Sequence, residues 1–264
     1  CTANSASSLI YLALKRHAVA QLVRIPSTMP IVVPNAIANA GHKILFYNDI
    51  DWVGSCYHLY DDIFDSAQEV TRNQYSDLEL DDAAMIFSFY PTKPVSGCDG
   101  GMIVSNNKEK IDYFRMMTMN GTSVDSNSWN RKQYAAGYKM HCTSVQAFIA
   151  NENLKKLDEK NSRLDEIKSA YNEAVGYNNT SRHLYRVRVN HNSSFINSMG
   201  ENGIKCGIHY EHCHGKSAYR KSEGQVCNLR ASEKESLRTV SLPFHEQLTD
   251  SEVDYIIDHV KKLT

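Results

Sequence analysis

The chain reads as an α/β protein with a mostly parallel central sheet, and three features predict it. Short apolar runs typical of strands (Lys43 to Tyr47, Ile63 to Phe64, Met85 to Phe89, Met102 to Ser105) follow or precede helical stretches at Leu9 to Leu14 and Ile31 to Ala40. Such alternation favours parallel strands covered by helices on both faces. Asp65 and Lys93 each lie just past an apolar run, and ligands of such sheets gather at the carboxyl ends of strands. The chain also closes on a strongly patterned helix. Thr249-Asp250-Ser251-Glu252 has capping-box spacing, Leu248 and Val253 are placed as a hydrophobic staple, and Val253, Ile256, Ile257, Val260 and Leu263 form a stripe.

Between these parts, Ser144 to about Val175 has helical spacing at Val145, Phe148, Ile149, Leu154, Leu157 and Leu164, which predicts one long helix leading into a second unit. Leu184 to Val189 alternates as a strand, and Ser194 to Asn202 reads as a helix ending at Gly203. The turn-rich stretch Gly176-Tyr177-Asn178-Asn179-Thr180 marks the boundary. A large domain over 1–175 and a smaller one over 176–264 follow, which suits 264 residues.

Charge and composition exclude several function classes. Lys and Arg number 29 against 30 Asp and Glu, so there is no electrostatic case for nucleic acid or for a polybasic membrane contact. No segment approaches the roughly 20 apolar residues of a membrane span, and no leader pattern is present. The seven cysteines (1, 56, 98, 142, 206, 213 and 227) are odd in number and scattered, which fits reduced thiols and a cytoplasmic location. His209, His212, Cys213 and His214 crowd four ligand-type side chains into six residues. That is too tight for a tetrahedral zinc site on one strand, so no metal is expected.

The chemistry concentrates in Phe87-Ser88-Phe89-Tyr90-Pro91-Thr92-Lys93, followed by Asp99-Gly100-Gly101-Met102-Ile103-Val104. A lysine beside apolar strand ends is costly unless its charge is paired or its pKa falls. A neutral, partly desolvated amine is what attack on a carbonyl requires. Upstream, Asp61-Asp62-Ile63-Phe64-Asp65-Ser66-Ala67-Gln68 ends a short strand in a carboxylate. A carboxylate to hold a pyridine nitrogen protonated, a lysine for an aldehyde, and hydroxyls with backbone N–H groups for a phosphate are the parts that pyridoxal 5'-phosphate needs.

With these residues, five further segments resemble the DegT/DnrJ/EryC1/StrS family of sugar-nucleotide aminotransferases, which have pyridoxal-phosphate fold type I. They are Asn4-Ser5-Ala6-Ser7-Ser8-Leu9, Pro34 to Gly41, Gly137-Tyr138-Lys139-Met140-His141-Cys142-Thr143-Ser144-Val145-Gln146-Ala147, Gly207-Ile208-His209-Tyr210 with His214 and Ala218-Tyr219, and Ser241-Leu242-Pro243 through the final helix. The resemblance runs nearly end to end. It implies an internal aldimine on Lys93, which would also shuttle the proton, and pyridoxamine phosphate as intermediate. It further implies Asp65 on the pyridine nitrogen, Gln68 on the ring substituent or beside Asp65, and Ala6, Ser7 and Ser88 on the phosphate. Lys139 and His141 would reach the cofactor phosphate of a neighbouring subunit in a homodimer. His209 and Tyr210 would frame the substrate site, with His214 near the sugar. The implied reaction moves an amino group from glutamate to a keto group of a nucleotide-linked deoxysugar.

The chain departs from that pattern at four places. Pro30 stands where the family commonly stacks an aromatic ring on the cofactor, Ala6 where it has threonine, and His141 where it has asparagine, whose contact becomes pH-dependent. Ser55 to Asp65 is also too short for a parallel crossover, which takes a dozen or more residues. These departures motivate one rival, a non-catalytic regulatory or cofactor-sensing homologue. A second rival, a pyridoxal- or pyridoxamine-phosphate-dependent sugar dehydratase, would have histidine where Lys93 stands.

Overall fold

The computed structural model describes residues 1–123, 131–222, 224 and 228–264; Cys227 lies outside the described residues. The chain opens with β1 (Thr2–Ala3) and α1 (Ala6–Lys15), followed by β2 (Leu22–Pro26), α2 (Val32–Asn39) and β3 (Lys43–Tyr47). Next come β4 (Tyr57–Tyr60), β5 (Ile63–Asp65), β6 (Ala84–Ser88), β7 (Gly101–Ser105) and α3 (Lys108–Thr118). Then follow α4 (Ser144–Lys155), α5 (Leu157–Val175), β8 (Tyr185–Arg188), α6 (Asn192–Glu201), α7 (Arg230–Ser236), β9 (Thr239–Leu242) and α8 (Asp250–Leu263).

The α/β class holds, but the sheet is mixed where mostly parallel pairing was predicted. Five strands lie in the order β1-β7-β6-β5-β4, with β5 and β6 parallel and the other neighbours antiparallel. A second, two-stranded parallel sheet pairs β2 with β3. The cause of the antiparallel β4–β5 pair is length. Asp61 and Asp62 are the only residues between these strands, and Asp61 turns the chain at φ 51°. Two residues close a hairpin and cannot cross over to a parallel neighbour.

The central strand β6 is buried at all five positions, as its unbroken apolar run requires. Its neighbour β7 begins at Gly101, where an added Cβ would stand 2.5 Å from the backbone nitrogen of Ala6. Glycine at this point lets the start of α1 lie directly on the sheet. Ser5 caps that helix by accepting from the Ser8 N–H at 3.1 Å.

The single long helix predicted after Ser144 is two helices, broken at Lys156 (φ −96°, ψ 4°). Thr143 and Gln146 form a capping box that starts α4. Of its residues only Ala150 is buried, joined to Val95 and Leu157, whereas Val145, Phe148 and Leu154 are exposed. The predicted stripe is therefore not a core stripe in α4. In α5 it is, through Leu157, Leu164, Ile167 and Tyr171.

Two large cores result. One surrounds the five-stranded sheet, with Leu9, Leu12, Ile25, Ile44, Ile86, Ile103 and Phe114 fully buried. The other joins α5, α6 and α8 to the β8–β9 pair through Ile167, Tyr171, Tyr185, Val187, Met199, Val240 and Val260. Gly176 ends α5 in the left-handed conformation at the predicted boundary. Ile167 and Tyr171 precede that point yet belong to the second core, while Cys213, Tyr219 and Leu229 follow it and pack into the first. The capping box of α8 is present as predicted, with Leu248 and Val253 buried, although Leu263 is exposed.

Candidate active site

A cavity of about 910 Å³ opens between the two cores. Its sheet-side wall is built by chain connectivity. Strands β5 and β6 run parallel with Asp65 opposite Ile86, so Asp65 and Ser88 both end strands at the same edge. Beyond β6, the loop carrying Lys93 is pinned by Phe89 N–H to Gly100 C=O (2.9 Å), Lys93 N–H to Tyr90 C=O (2.9 Å) and Gly97 N–H to Phe89 C=O (2.8 Å). Gly101 pairs with Ser88 across the sheet and admits the first turn of α1 beside it. Ala6, Ser7, Ser88 and Lys93 accordingly line one cavity.

The side chains there are electrically unusual. Burial pushes the Lys93 amine below the ordinary lysine pKa, and the nearby Asp65 carboxylate opposes that shift. Asp65 is buried behind the wall and accepts from the Tyr57 hydroxyl and the Ala67 N–H, each at 2.9 Å. Burial raises its pKa, against the lowering effects of Ala67, Tyr57 and Lys93. Both shifts favour the uncharged forms, because desolvation outweighs the attraction between the two groups. A buried carboxylate in this condition is suited to a cation that arrives with a ligand.

The opposite wall comes from the second core and the segments flanking β8 and β9. His183 sits just before β8, buried, with Nε2 3.5 Å from Lys93 Nζ. Its N–H is held by Ser181 Oγ at 3.0 Å. His209 lines the cavity with Nδ1 2.9 Å from Ser241 Oγ on β9, and backbone bonds join Gly207 to the same Ser241. Tyr210 also lines it, its ring stacked on Trp52 at 6.3 Å and 13°. Lys160, Lys205 and Arg182 add positive charge to this side. Arg182 is bidentate to Asp165, whose carboxyl it holds down to about 2.

Of the residues singled out by sequence, Lys93, Ser88, Ala6, Ser7, His209 and Tyr210 line the cavity, and Asp65 stands behind it. Gln68 does not line it. Its Oε1 accepts from the Gly54 N–H at 2.9 Å, and it faces a smaller recess of about 180 Å³. His214 does not line the cavity either and is buried between Ser27 Oγ and Glu233 Oε1. Lys139 is exposed and His141 half-buried, both outside the cavity on the segment leading into α4. Pro30 lines the cavity, where the family pattern has an aromatic ring.

The crowded segment around His212 disperses its side chains: His212 turns to Ser236, Cys213 to the Met29 carbonyl and His214 to Ser27. Among the described residues no group of three or more His, Cys, Asp or Glu side chains is placed to share a metal ion. The residues that sequence reasoning missed are His183, Tyr57, Arg182, Lys160 and Lys205. Only His183 carried a signal, as a lone histidine just before the alternating strand Leu184 to Val189.

Residues 63–261 match the profile of the DegT/DnrJ/EryC1/StrS aminotransferase family, and the chain belongs to that family. It is 26% identical over 215 residues to a UDP-4-amino-4,6-dideoxy-N-acetyl-beta-L-altrosamine transaminase of Campylobacter jejuni, covering 74% of this chain and 57% of that protein. The chain spans little more than half the length of the curated relatives it matches. Among solved structures, a Brucella abortus aminotransferase of the same family superposes with a TM-score of 0.80 at 18% identity, over 99% of this chain and 84% of that one. A Helicobacter pylori aminotransferase involved in the biosynthesis of pseudoaminic acid gives 0.80 at 17% identity, over 99% and 85%. At this identity the likeness establishes the fold.

Proposed function

We propose that this chain is a pyridoxal-phosphate-dependent aminotransferase that moves an amino group from glutamate to a keto group of a nucleotide-linked deoxysugar. The observation that carries the reading is the placing of Lys93 on the wall of a large cavity, with the buried Asp65 carboxyl near enough to act on its charge and with Ser88 and a helix N-terminus beside it. The residues fit the cofactor. Asp65 is a buried carboxylate short of a cation, and a protonated pyridine nitrogen supplies one. Ser5 takes the Ser8 N–H, which leaves the Ala6 and Ser7 amides at the start of α1 on the cavity wall, where with the Ser88 hydroxyl they suit a phosphate.

When bound, the cofactor supplies the electron sink for a carbanion at the substrate carbon. Lys93 would hold the aldehyde through its amine, then carry a proton to and from that carbon once a substrate amine displaces it. Asp65 would keep the ring nitrogen charged. His209 and Tyr210, braced by Ser241 and Trp52, would exclude water and orient the sugar ring. Lys205 and Lys160 would face the anionic end of the substrate.

The same reading has a second copy of the chain completing the site. Lys139 and His141 do not line this cavity, and the adjoining α4 leaves Val145 and Phe148 exposed. A cytoplasmic location belongs to it as well, supported by the six described cysteines, none of which is paired. No helix among the described residues is long and apolar enough to cross a membrane.

The test is the visible spectrum of the protein with pyridoxal phosphate, before and after borohydride, with mass spectrometry of the fixed adduct. A yellow band trapped on Lys93 and bleached by glutamate supports the proposal. No band, or an adduct spread over surface lysines, overturns it in favour of the non-catalytic homologue.

A further inference from the structure

We propose that His183 is the proton partner of Lys93: its Nε2 takes the proton that the lysine amine must shed and later returns it. This inference rests on the reading of Lys93 as the cofactor-holding residue. An ordinary lysine has a pKa of about 10.4, so fewer than about one amine in a thousand is neutral at pH 7. Lys93 must lose its proton before it can bond to an aldehyde, and again before it can act as a base. Among the described residues, the acceptor at contact range of the Lys93 amine is His183 Nε2 at 3.5 Å.

The other groups facing this pair are committed elsewhere. Asp65 already receives Tyr57 and Ala67 and is assigned to the ring nitrogen. His209 is bonded to Ser241. Lys160, on α5, is a cation itself, paired with Glu246 at 3.5 Å. Burial above all, and then the charges of Lys93, His209 and Lys160, lower the His183 pKa and leave the imidazole neutral, with Nε2 3.5 Å from the lysine. So lowered it is a weak base, and it carries the proton only transiently. Lys93 is itself one cause of that neutrality, and its effect vanishes when the lysine gives up its charge. The step is balanced: the ammonium and the imidazole become an amine and an imidazolium, one proton crosses between the two nitrogens, and no electrons are exchanged. Two charges at this distance in a buried site would repel strongly, so the pair holds one mobile proton. His183 acts through Lys93 and is a positioning residue in that sense, with a proton to carry.

The experiment follows capture of pyridoxal phosphate by the apoprotein at Lys93, quenched with borohydride and read by peptide mass spectrometry as a function of pH. His183→Gln keeps a hydrogen-bonding side chain of similar reach but cannot carry the proton. Capture at neutral pH is expected to slow by about 10²-fold. The deficit should shrink as the pH approaches the lysine pKa, and added imidazole should restore the rate. Equal rates and pH profiles in the two proteins would overturn the inference, as would a deficit constant with pH and indifferent to imidazole. If the unaltered protein captures nothing at Lys93, the reading of function fails with it; normal capture by both proteins sinks only the role of His183. Should the glutamine variant not fold by circular dichroism, His183→Asn takes its place.

Discussion

The two walls of the cavity are made in different ways. The sheet-side wall is assembled from consecutive strand ends: Asp65 closes β5, Ser88 closes β6, Lys93 follows in the next loop, and Gly101 lets α1 lie beside them. Parallel pairing of β5 and β6 fixes the relative positions of these groups before any loop is considered. The facing wall is gathered from distant stretches, with Lys160 on α5, His183 before β8, His209 after α6 and Ser241 on β9. Those groups depend on the second core to bring them together. One wall is thus specified by backbone register and the other by packing, and the two should answer differently to substitution.

The largest effect should come from the sheet side. Lys93→Ala removes the amine proposed to hold the aldehyde and move the proton, and on that reading amino transfer should fall on the order of 10⁴-fold or more with the fold intact. A steady-state assay with glutamate and a ketosugar nucleotide, alongside circular dichroism, checks this. Activity within tenfold of the parent would place the chemistry elsewhere.

Asp65→Asn comes next and separates function from stability. If Asp65 holds the ring nitrogen as proposed, loss of its charge should lower turnover on the order of 10²-fold. The apoprotein should move the other way. Burial raises the Asp65 pKa above its ordinary 3.8, so the folded chain holds this proton more tightly than the unfolded one. Its stabilising contribution is complete below the unfolded value and is lost as pH rises through the folded value. At neutral pH the buried carboxylate therefore costs the apoprotein stability. Asparagine can still serve Ala67 and Tyr57 without the charge, so the apo variant should melt higher at pH 7, with the gain disappearing as the pH falls below about 4. A lower melting temperature at pH 7 would contradict this account.

The difference between the walls also explains what could be read from the sequence. Strand ends announce themselves locally, because an apolar run followed by a charged residue needs no knowledge of the rest of the chain. Asp65 and Lys93 stood out locally for that reason, whereas Ser88 and the roles proposed for all three came from the family resemblance; β3, β5, β6, β7 and the capping box of α8 were legible from local pattern. The sheet's mixed character depended on a length, the two residues between β4 and β5, whose conflict with a parallel crossover was visible although its outcome, a hairpin, was not. Gln68 sits three residues from Asp65, yet its rotamer is decided by the Gly54 N–H, a partner 14 positions earlier that no local pattern reveals. The family resemblance implies a place near the sugar for His214, but packing buries it against Ser27, 187 positions away. The stripe on α4 had core spacing, and only the tertiary arrangement decides that Ala150 faces inward while Val145 and Phe148 do not.

The smallest effect tests whether the packed wall can be loosened by itself. Thr249 caps α8 by accepting from the Glu252 N–H at 3.3 Å, and Glu252 returns a bond to the Thr249 N–H at 2.8 Å. Helix α8 buries Val253, Ile256 and Val260 in the second core, far along the chain from Asp65 and Lys93. Thr249→Ala should cost about 1 kcal/mol, a drop of roughly 2–4 °C in melting temperature for a protein near this size. Because the cap touches no residue of the sheet-side wall, pyridoxal phosphate should still be captured at Lys93 at the parent rate. The KM for the sugar substrate should rise slightly, since His209 is held by Ser241 on β9, which packs in the same core as α8. Calorimetry and capture kinetics on one preparation decide the matter. A capture rate that falls in step with the melting temperature would mean that the sheet-side wall leans on the second core after all.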